Sequence, residues 1–210
     1  MEKIIDTNKV VLVGRVLRKP EFSHKIYGED FYIIVLGILR KSGYEDRIRL
    51  MLSEHLLCGQ SPQIGNILKI HGHIRTYNRE ILGRNKLEIM VLVRTMECIK
   101  RTPVKVENIS YENSVHLEGF ICKTPLRRTS PLGREICDLM VAINRPYNKS
   151  DYVPTIAWGR NANLCEMLKV GDKVVVDGRI QSREYKKCGE NNEVVTKVAY
   201  EVSATEIVMV

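Results

Sequence analysis

The sequence predicts an all-β chain made of two tandem copies of one small barrel, each with a single short helix. Three observations carry this: an internal repeat about half the chain long, β-branched or alternating apolar runs at matching places in both copies, and one helical stretch per copy between its third and fourth strands. Shifted by 105, Asn8 meets Asn113, Val10 meets Val115, Leu12 meets Leu117, Gly14 meets Gly119, Pro20 meets Pro125, Gly28 meets Gly133 and Arg40 meets Arg145. From about residue 48 the shift reads as 106 (Gly65/Gly171, Gly72/Gly178, Ile74/Ile180), and near the end as 109 (Val93/Val202, Glu97/Glu206). These changes are placed in 41–46 and 79–86, polar stretches with glycine that tolerate insertion. The division is domain 1 at 1–101, a linker at 102–112 stiffened by Pro103, and domain 2 at 113–210. At about 100 residues, each copy can hold its own core.

In the first copy, 10–16 is rich in β-branched residues, 31–39 is a long apolar run, and 47–52 follows. A helix near 53–59 comes next, then 67–77 with period two and 87–99 as the closing strand. The second copy gives strands at 115–121, 136–144 and 152–158, a helix near 161–168, and strands at 173–185 and 194–208. Five strands with a helix between the third and fourth is the element order of the OB-fold, a Greek-key barrel. Element order alone also fits other five-stranded barrels.

No run of 18 apolar residues exists, which excludes a membrane-spanning helix of ordinary length, and residues 1–9 lack an apolar signal core. The expected location is therefore cytoplasmic. The six cysteines are widely spaced without a CxxC pair, so they read as free thiols. The net charge of +8 is unevenly held: residues 1–105 carry 19 Lys/Arg against 11 Asp/Glu, and 106–210 carry 14 of each. An excess confined to one half points to a surface facing a polyanion.

The second copy contains Thr155-Ile-Ala-Trp-Gly-Arg-Asn-Ala-Asn-Leu-Cys165 and then Leu168-Lys-Val-Gly-Asp-Lys-Val-Val-Val-Asp-Gly-Arg-Ile-Gln-Ser-Arg-Glu-Tyr185. It opens with Asn113-Ser-Val-His-Leu-Glu-Gly119, followed by Pro125; the first copy opens with Asn8-Lys-Val-Val-Leu-Val-Gly-Arg15, followed by Pro20. This pattern resembles the bacterial single-stranded DNA-binding protein family. That family has an aromatic-Gly-basic step entering the helix, then Leu-Lys-x-Gly-x-x-Val-x-Val-x-Gly-Arg-Leu. The resemblance spans nearly the whole chain and is strongest over 155–185.

The resemblance implies base stacking on Trp158, Tyr152, Tyr185 and Tyr147, with Arg145, Arg160, Arg179 and Arg183 as the cations beside them. In the first copy the alignment sets Leu52 against Trp158, Asp46 against Tyr152 and Arg79 against Tyr185, leaving only Tyr44 and Tyr77 near the stacking surface. Lys69, His71, His73 and Arg75 alternate along one strand and share a face, as do Arg47 and Arg49 on the strand before it. Copy one is therefore expected to grip phosphates and copy two to stack bases. His71 and His73 have no Cys or carboxylate at ligand spacing, so no metal is expected. No phosphate loop, nucleophile elbow or HExxH motif is present, so neither catalysis nor a cofactor is expected.

The family's replicative members carry a flexible tail ending in an acidic peptide, whereas this sequence ends at Glu206-Ile-Val-Met-Val210. The resemblance thus implies a tandem member without that recruitment device, in an accessory replication, recombination or repair role, nucleoid-associated in a bacterial, phage or plasmid context. Members with two barrels per chain imply a homodimer holding four OB domains. Two functions stay open. One is sequence-tolerant single-stranded DNA binding; the other is a primosomal-type adaptor whose partner is a helicase or primase. Stacking and backbone tracking alone do not distinguish DNA from RNA.

Overall fold

The computed structural model describes residues 7–58, 61–81, 84–101, 109–130, 133–188 and 194–210, with the backbone alone at 80, 81, 84, 85 and 186–188. The first copy folds as β1 (Asn8–Val16), β2 (Glu21–Ile26), β3 (Glu29–Leu39), β4 (Glu45–Ser53), α1 (Glu54–Leu57), β5 (Ile67–Ile81) and β6 (Arg84–Lys100). The second gives β7 (Glu112–Ile121), β8 (Leu126–Thr129), β9 (Glu135–Arg145), β10 (Lys149–Trp158), α2 (Arg160–Cys165), β11 (Lys173–Cys188) and β12 (Val194–Met209). Most of the linker interval, 102–108, lies outside the described residues, and β7 already begins at Glu112.

Each copy closes a barrel of five strands. In the first, β1 pairs with β3, β3 with β4, β4 in parallel with β6, β6 with β5, and β5 with β1. The second repeats this circuit with β7, β9, β10, β12 and β11. This is the OB-fold that the element order anticipates. One short strand per copy was not anticipated: β2 and β8 pair with β3 and β9 outside the closed circuit and form the two ends of the sheet. Alternation builds the cores. Ile34, Leu36 and Ile38 on β3, Ile48, Leu50 and Leu52 on β4, and Leu68, Ile70 and Ile74 on β5 all point inward and are buried.

Close backbone approach fixes two glycines. A Cβ on Gly72 or Gly178 would collide with the carbonyl oxygen of Leu92 or Ser203 on the neighbouring strand. Each also adjoins a register shift, His71/Gly72 and Asp177/Gly178, where the long strands bend to close the barrel. The repeated Asn extends a ladder. The Asn8 amide donates to Ile74 O (2.9 Å) and accepts from Ile74 N (2.8 Å), and Asn113 does the same with Ile180 at 2.7 and 3.0 Å.

The barrels join through β1 and β7, which pair antiparallel with Val10 opposite Val115. Because these two residues are repeat equivalents, a pseudo-twofold axis passes through that rung, and one sheet of 12 strands runs through both barrels. Two buried carboxylates brace the junction symmetrically, each fully excluded from solvent. Asp46 accepts from the Ser182 backbone N–H at 2.8 Å and from both ends of the Arg40 guanidinium at 2.6 Å. Asp151 accepts from the Thr76 N–H at 2.7 Å and from Arg75 at 3.1 Å, with Arg145 Nε 3.3 Å away. The hydroxyls complete the symmetry: Ser182 Oγ accepts the Arg47 N–H (3.0 Å), and Thr76 Oγ1 accepts the Tyr152 N–H (2.8 Å).

These contacts correct the sequence alignment. The shift of 105 persists through β4, since Leu50 and Thr155 each form the parallel pairing to the last strand of their own barrel. The first insertion therefore lies beyond Ser53, and the last strands are offset by 111, with Val91 opposite Ile74 as Val202 is opposite Ile180. Hairpins of equal length at 41–43 and 146–148 explain why no residue is gained earlier. Ser53 rather than Leu52 is the equivalent of Trp158, and Arg47 rather than Asp46 is the equivalent of Tyr152. Arg79 remains the equivalent of Tyr185.

Cys58, Cys98, Cys122, Cys137 and Cys165 are free thiols, and the side chain of Cys188 lies outside the described ones. Cys165 on α2 is buried beneath the barrel, and burial, reinforced by Cys137, pushes its thiol up to about 12. No helix among the described residues is long and apolar enough to cross a membrane.

Candidate nucleic-acid interface

On β10 Asp151, Val153, Thr155 and Ala157 are buried and alternate with Tyr152, Pro154, Ile156 and Trp158 on the opposite side of the strand, where Ile156 is covered and the two rings are not. Tyr152 and Trp158 therefore emerge on one outer surface, 48% and 36% exposed. They lie six positions apart along the strand, about 20 Å. The indole is anchored, because its Nε1–H donates to Ser203 Oγ on β12 at 3.2 Å. Tyr147 sits on the hairpin before β10, 93% exposed, with φ of 64° followed by φ of 53° at Asn148. A tyrosine held at positive φ with its ring in water pays backbone strain for a position the core does not need. Tyr185 is half-buried near the end of β11, with the Arg183 guanidinium 5.9 Å from its ring centre.

The cations proposed from sequence fall into two groups. Arg145, Arg75 and Arg49 are held in ion pairs. The first two flank Asp151 at the junction, and Arg49 binds Glu88 at 2.8 Å. Burial, only partly offset by Asp151, pulls Arg75 below its ordinary pKa. Arg47 and Arg183 are more open, although they lie 3.8 and 3.9 Å from Glu45 and Glu201. Arg160 is exposed at the start of α2, and Lys69 is half-buried on the outer face of β5. Lys69, His71, His73, Arg75 and Tyr77 do share that face, opposite the buried Leu68, Ile70 and Ile74. Tyr77 donates its hydroxyl to Glu88 at 3.1 Å.

A cleft of about 1440 Å³ lies between the β3–β4 hairpin of barrel 1 and the outer face of β10, β11 and β12. Arg40, Lys41 and Tyr44 line one wall; Trp158, Arg179 and Arg183 line the other. Tyr44 is covered by the Arg40 guanidinium, 4.7 Å from its ring centre. Arg179 is half-buried, and its Nε has no hydrogen-bond partner among the described residues. Burial and then the nearby Arg40 draw its pKa down.

Aromatic residues also gather where the sequence reading did not place them. The β2–β3 hairpin carries Phe22 against Tyr32, edge-on with centroids 6.0 Å apart, and His24 stacked on Phe31. Its turn is Tyr27-Gly28, both at positive φ, the two-residue turn that twists a hairpin correctly. The signal was present in the sequence as ring-rich segments on either side of that turn.

Two five-stranded barrels sharing one sheet, with exposed rings and guanidinium groups on an outer face, define a tandem OB-fold chain. A model of the single-strand binding protein family matches residues 112–210. Single-stranded DNA-binding protein 1 of Clostridium acetobutylicum is 31% identical over 97 residues, 42% of this chain and 88% of that one. Single-stranded DNA-binding protein A of Bacillus subtilis is 32% identical over 96 residues, 42% of this chain and 56% of its own length. The chain belongs to the single-strand binding protein family. It covers 58% of the matched protein from Oceanobacillus iheyensis, so long parts of some relatives have no counterpart in the match. The wild-type single-stranded DNA binding protein of Thermus aquaticus shares the architecture, with a TM-score of 0.70 at 20% identity over 96% of this chain and 92% of that one.

Proposed function

We propose that this chain binds single-stranded DNA without sequence preference, stacking bases on Trp158, Tyr152, Tyr147 and Tyr185. The observation that carries this is the pair Tyr152 and Trp158. Both rings stand on one outer strand face, and the indole edge is tied to Ser203 so that its π-surface is left for a ligand. Every base has a π-face, so such a surface tolerates any sequence. Phosphates are taken by Arg160, Arg183 and Arg179 beside the rings, and by Arg47 and Lys69 on barrel 1. Arg49, Arg75 and Arg145 contribute mainly by holding Glu88 and Asp151. Tyr44 belongs to the cleft wall and Tyr77 to the Arg49–Glu88 group.

The protein acts without catalysis or cofactor, in the cytoplasm, as an accessory to replication, recombination or repair, with replication or primosome proteins as partners. The two barrels are the units 1–101 and 113–210, and two chains associate into a homodimer of four barrels. Light scattering should give twice the chain mass at micromolar concentration; the mass of one chain would overturn the dimer.

The test of binding is the anisotropy of a labelled oligo-dT titrated across a salt series with duplex as competitor. Tight binding that weakens with salt and resists duplex is expected. Binding that duplex removes equally well would overturn the reading.

A further inference from the structure

Barrel 1 lacks a ring at the position of Trp158, because Ser53 stands there. The ladder shows where the ring went. Trp158 on β10 lies directly opposite Ile136 on β9, and the same rung in barrel 1 is Ser53 on β4 opposite Phe31 on β3. The aromatic residue has crossed the rung, trading places with a small or aliphatic partner. Opposed residues of an antiparallel pair have Cβ atoms about 5 Å apart, so the ring has moved by only one strand spacing. It also keeps its side: Phe31, Ile33 and Val35 face outward, while Ile34 and Leu36 fill the core.

A second ring lies against it. His24 on β2 pairs in register with Phe31, and the two rings stack with centroids 5.2 Å apart and planes 8° apart. This alignment depends on the irregularity between Phe22 and His24, where the extra residue Ser23 carries His24 onto the Phe31 rung. Ser23 Oγ lies 2.9 Å from His24 Nδ1, which steadies the imidazole. In barrel 2 the residue at that place is Arg128, paired with Ile136 in the ladder and ion-paired with Asp138.

The spacing along the strand is also kept. Arg47, the equivalent of Tyr152, lies six residues from Ser53, about 20 Å along β4. Its backbone N–H is held by a hydroxyl from the other barrel, as that of Tyr152 is. Each outer face thus has two stations at one separation: ring and ring in barrel 2, ring pair and guanidinium in barrel 1. Asp30, a carboxylate of the β2–β3 hairpin, is neutralised by Lys25 at 3.2 Å.

We propose that Phe31 and His24 form a second base-stacking station, which receives an unpaired nucleobase on an already assembled two-ring stack while Arg47 holds a phosphate farther along the same strand. This rests on the reading that the ligand is single-stranded nucleic acid. It changes the division of labour between the barrels, since barrel 1 then contacts bases as well as the backbone.

Trp158 is the only tryptophan in the chain, which makes the test direct. In the native protein, oligo-dT should quench the Trp158 fluorescence. In the double variant Phe31→Trp with Trp158→Phe, the indole at position 31 should be quenched by the same oligonucleotide, with saturation shown by anisotropy of a labelled strand. No quenching at saturation overturns the station at 31. If neither anisotropy nor the native Trp158 signal responds, single-strand binding itself fails, and the two failures are thereby separated. A second variant, Phe31→Leu, keeps apolar bulk and removes the π-face. It should lose roughly five- to hundredfold in affinity for an oligonucleotide long enough to span both barrels, and little for one that occupies barrel 2 alone. An unchanged affinity for the long strand, with an unchanged urea midpoint, would also overturn the proposal.

Discussion

Barrel 2 and barrel 1 share a topology, a hairpin length and a bracing carboxylate, and they differ on their outer faces. Tyr152 and Trp158 in barrel 2 correspond to Arg47 and Ser53 in barrel 1, whereas the residues behind them, Asp151 and Asp46, are unchanged. The inward acid is therefore shared, while the outward residues on the same strands differ. A five-stranded barrel separates the two because successive residues point to opposite sides.

The largest effect should come from the shared side. Asp151→Asn removes the charge facing both Arg75 and Arg145, while Asp46→Asn removes that facing Arg40. Breaking a buried pair by removing one partner costs about 3–5 kcal/mol. Urea unfolding should show a loss of this size for each variant, greater at Asp151; a clear loss at only one position would break the symmetry of the braces. Next in size is the outer face. Trp158→Ala should weaken oligo-dT binding by about 1–3 kcal/mol, with Ser53→Ala unchanged, as calorimetry can measure. Equal losses would mean that the side chain at 53 itself meets the strand.

Smaller still is the effect on salt dependence. Arg47→Ala should reduce the slope of log affinity against log salt by about one, and Arg49→Ala should leave it unchanged because Glu88 already holds that guanidinium. If Arg49→Ala lowers the slope equally, the paired and open cations are not distinct. The smallest effect concerns acid. Burial would raise the Glu88 carboxyl, but the bonds from Arg49 and Tyr77 outweigh it and hold its pKa below the ordinary value. A depressed carboxylate contributes stability above its ordinary pKa and loses it as pH falls through the folded value. Barrel 2 has Ala199 at this place, opposite Arg183. Glu88→Gln should therefore flatten the acid limb of the stability curve by about 1 kcal/mol. An acid limb left unchanged would place the sensitivity elsewhere.

Much of the fold was legible because the repeat is marked by residues with backbone duties. Asn8 and Asn113 extend ladders, and Gly72 and Gly178 sit where only a hydrogen fits. The register of β4 was not legible, since Leu52 looks a better match to Trp158 than Ser53 does, and only the parallel pairing of Leu50 and Thr155 decides it. The bracing role of Asp46 is hidden for the same reason: a register one residue off sets it against Tyr152 instead of Asp151. Phe31 was hidden inside the apolar run 31–39, where composition suggests core and only the parity of neighbouring burial shows an outward side chain. Arg49, Arg75 and Arg145 looked like free cations because their partners lie 39, 76 and 6 residues away, two of them beyond any local reading.

The rung of Val10 and Val115 carries one more consequence. Had two identical chains met there, every outer position would occur twice by necessity, and the cradle would present the same series of contacts from either end. Within one chain the two halves are encoded separately, so a ring can stand at one and a serine at the other. A strand of nucleic acid has a 5′ and a 3′ end. Laid across a surface whose halves differ, it meets a different series of contacts in each direction, so the covalent link that breaks the symmetry also gives the cradle a polarity.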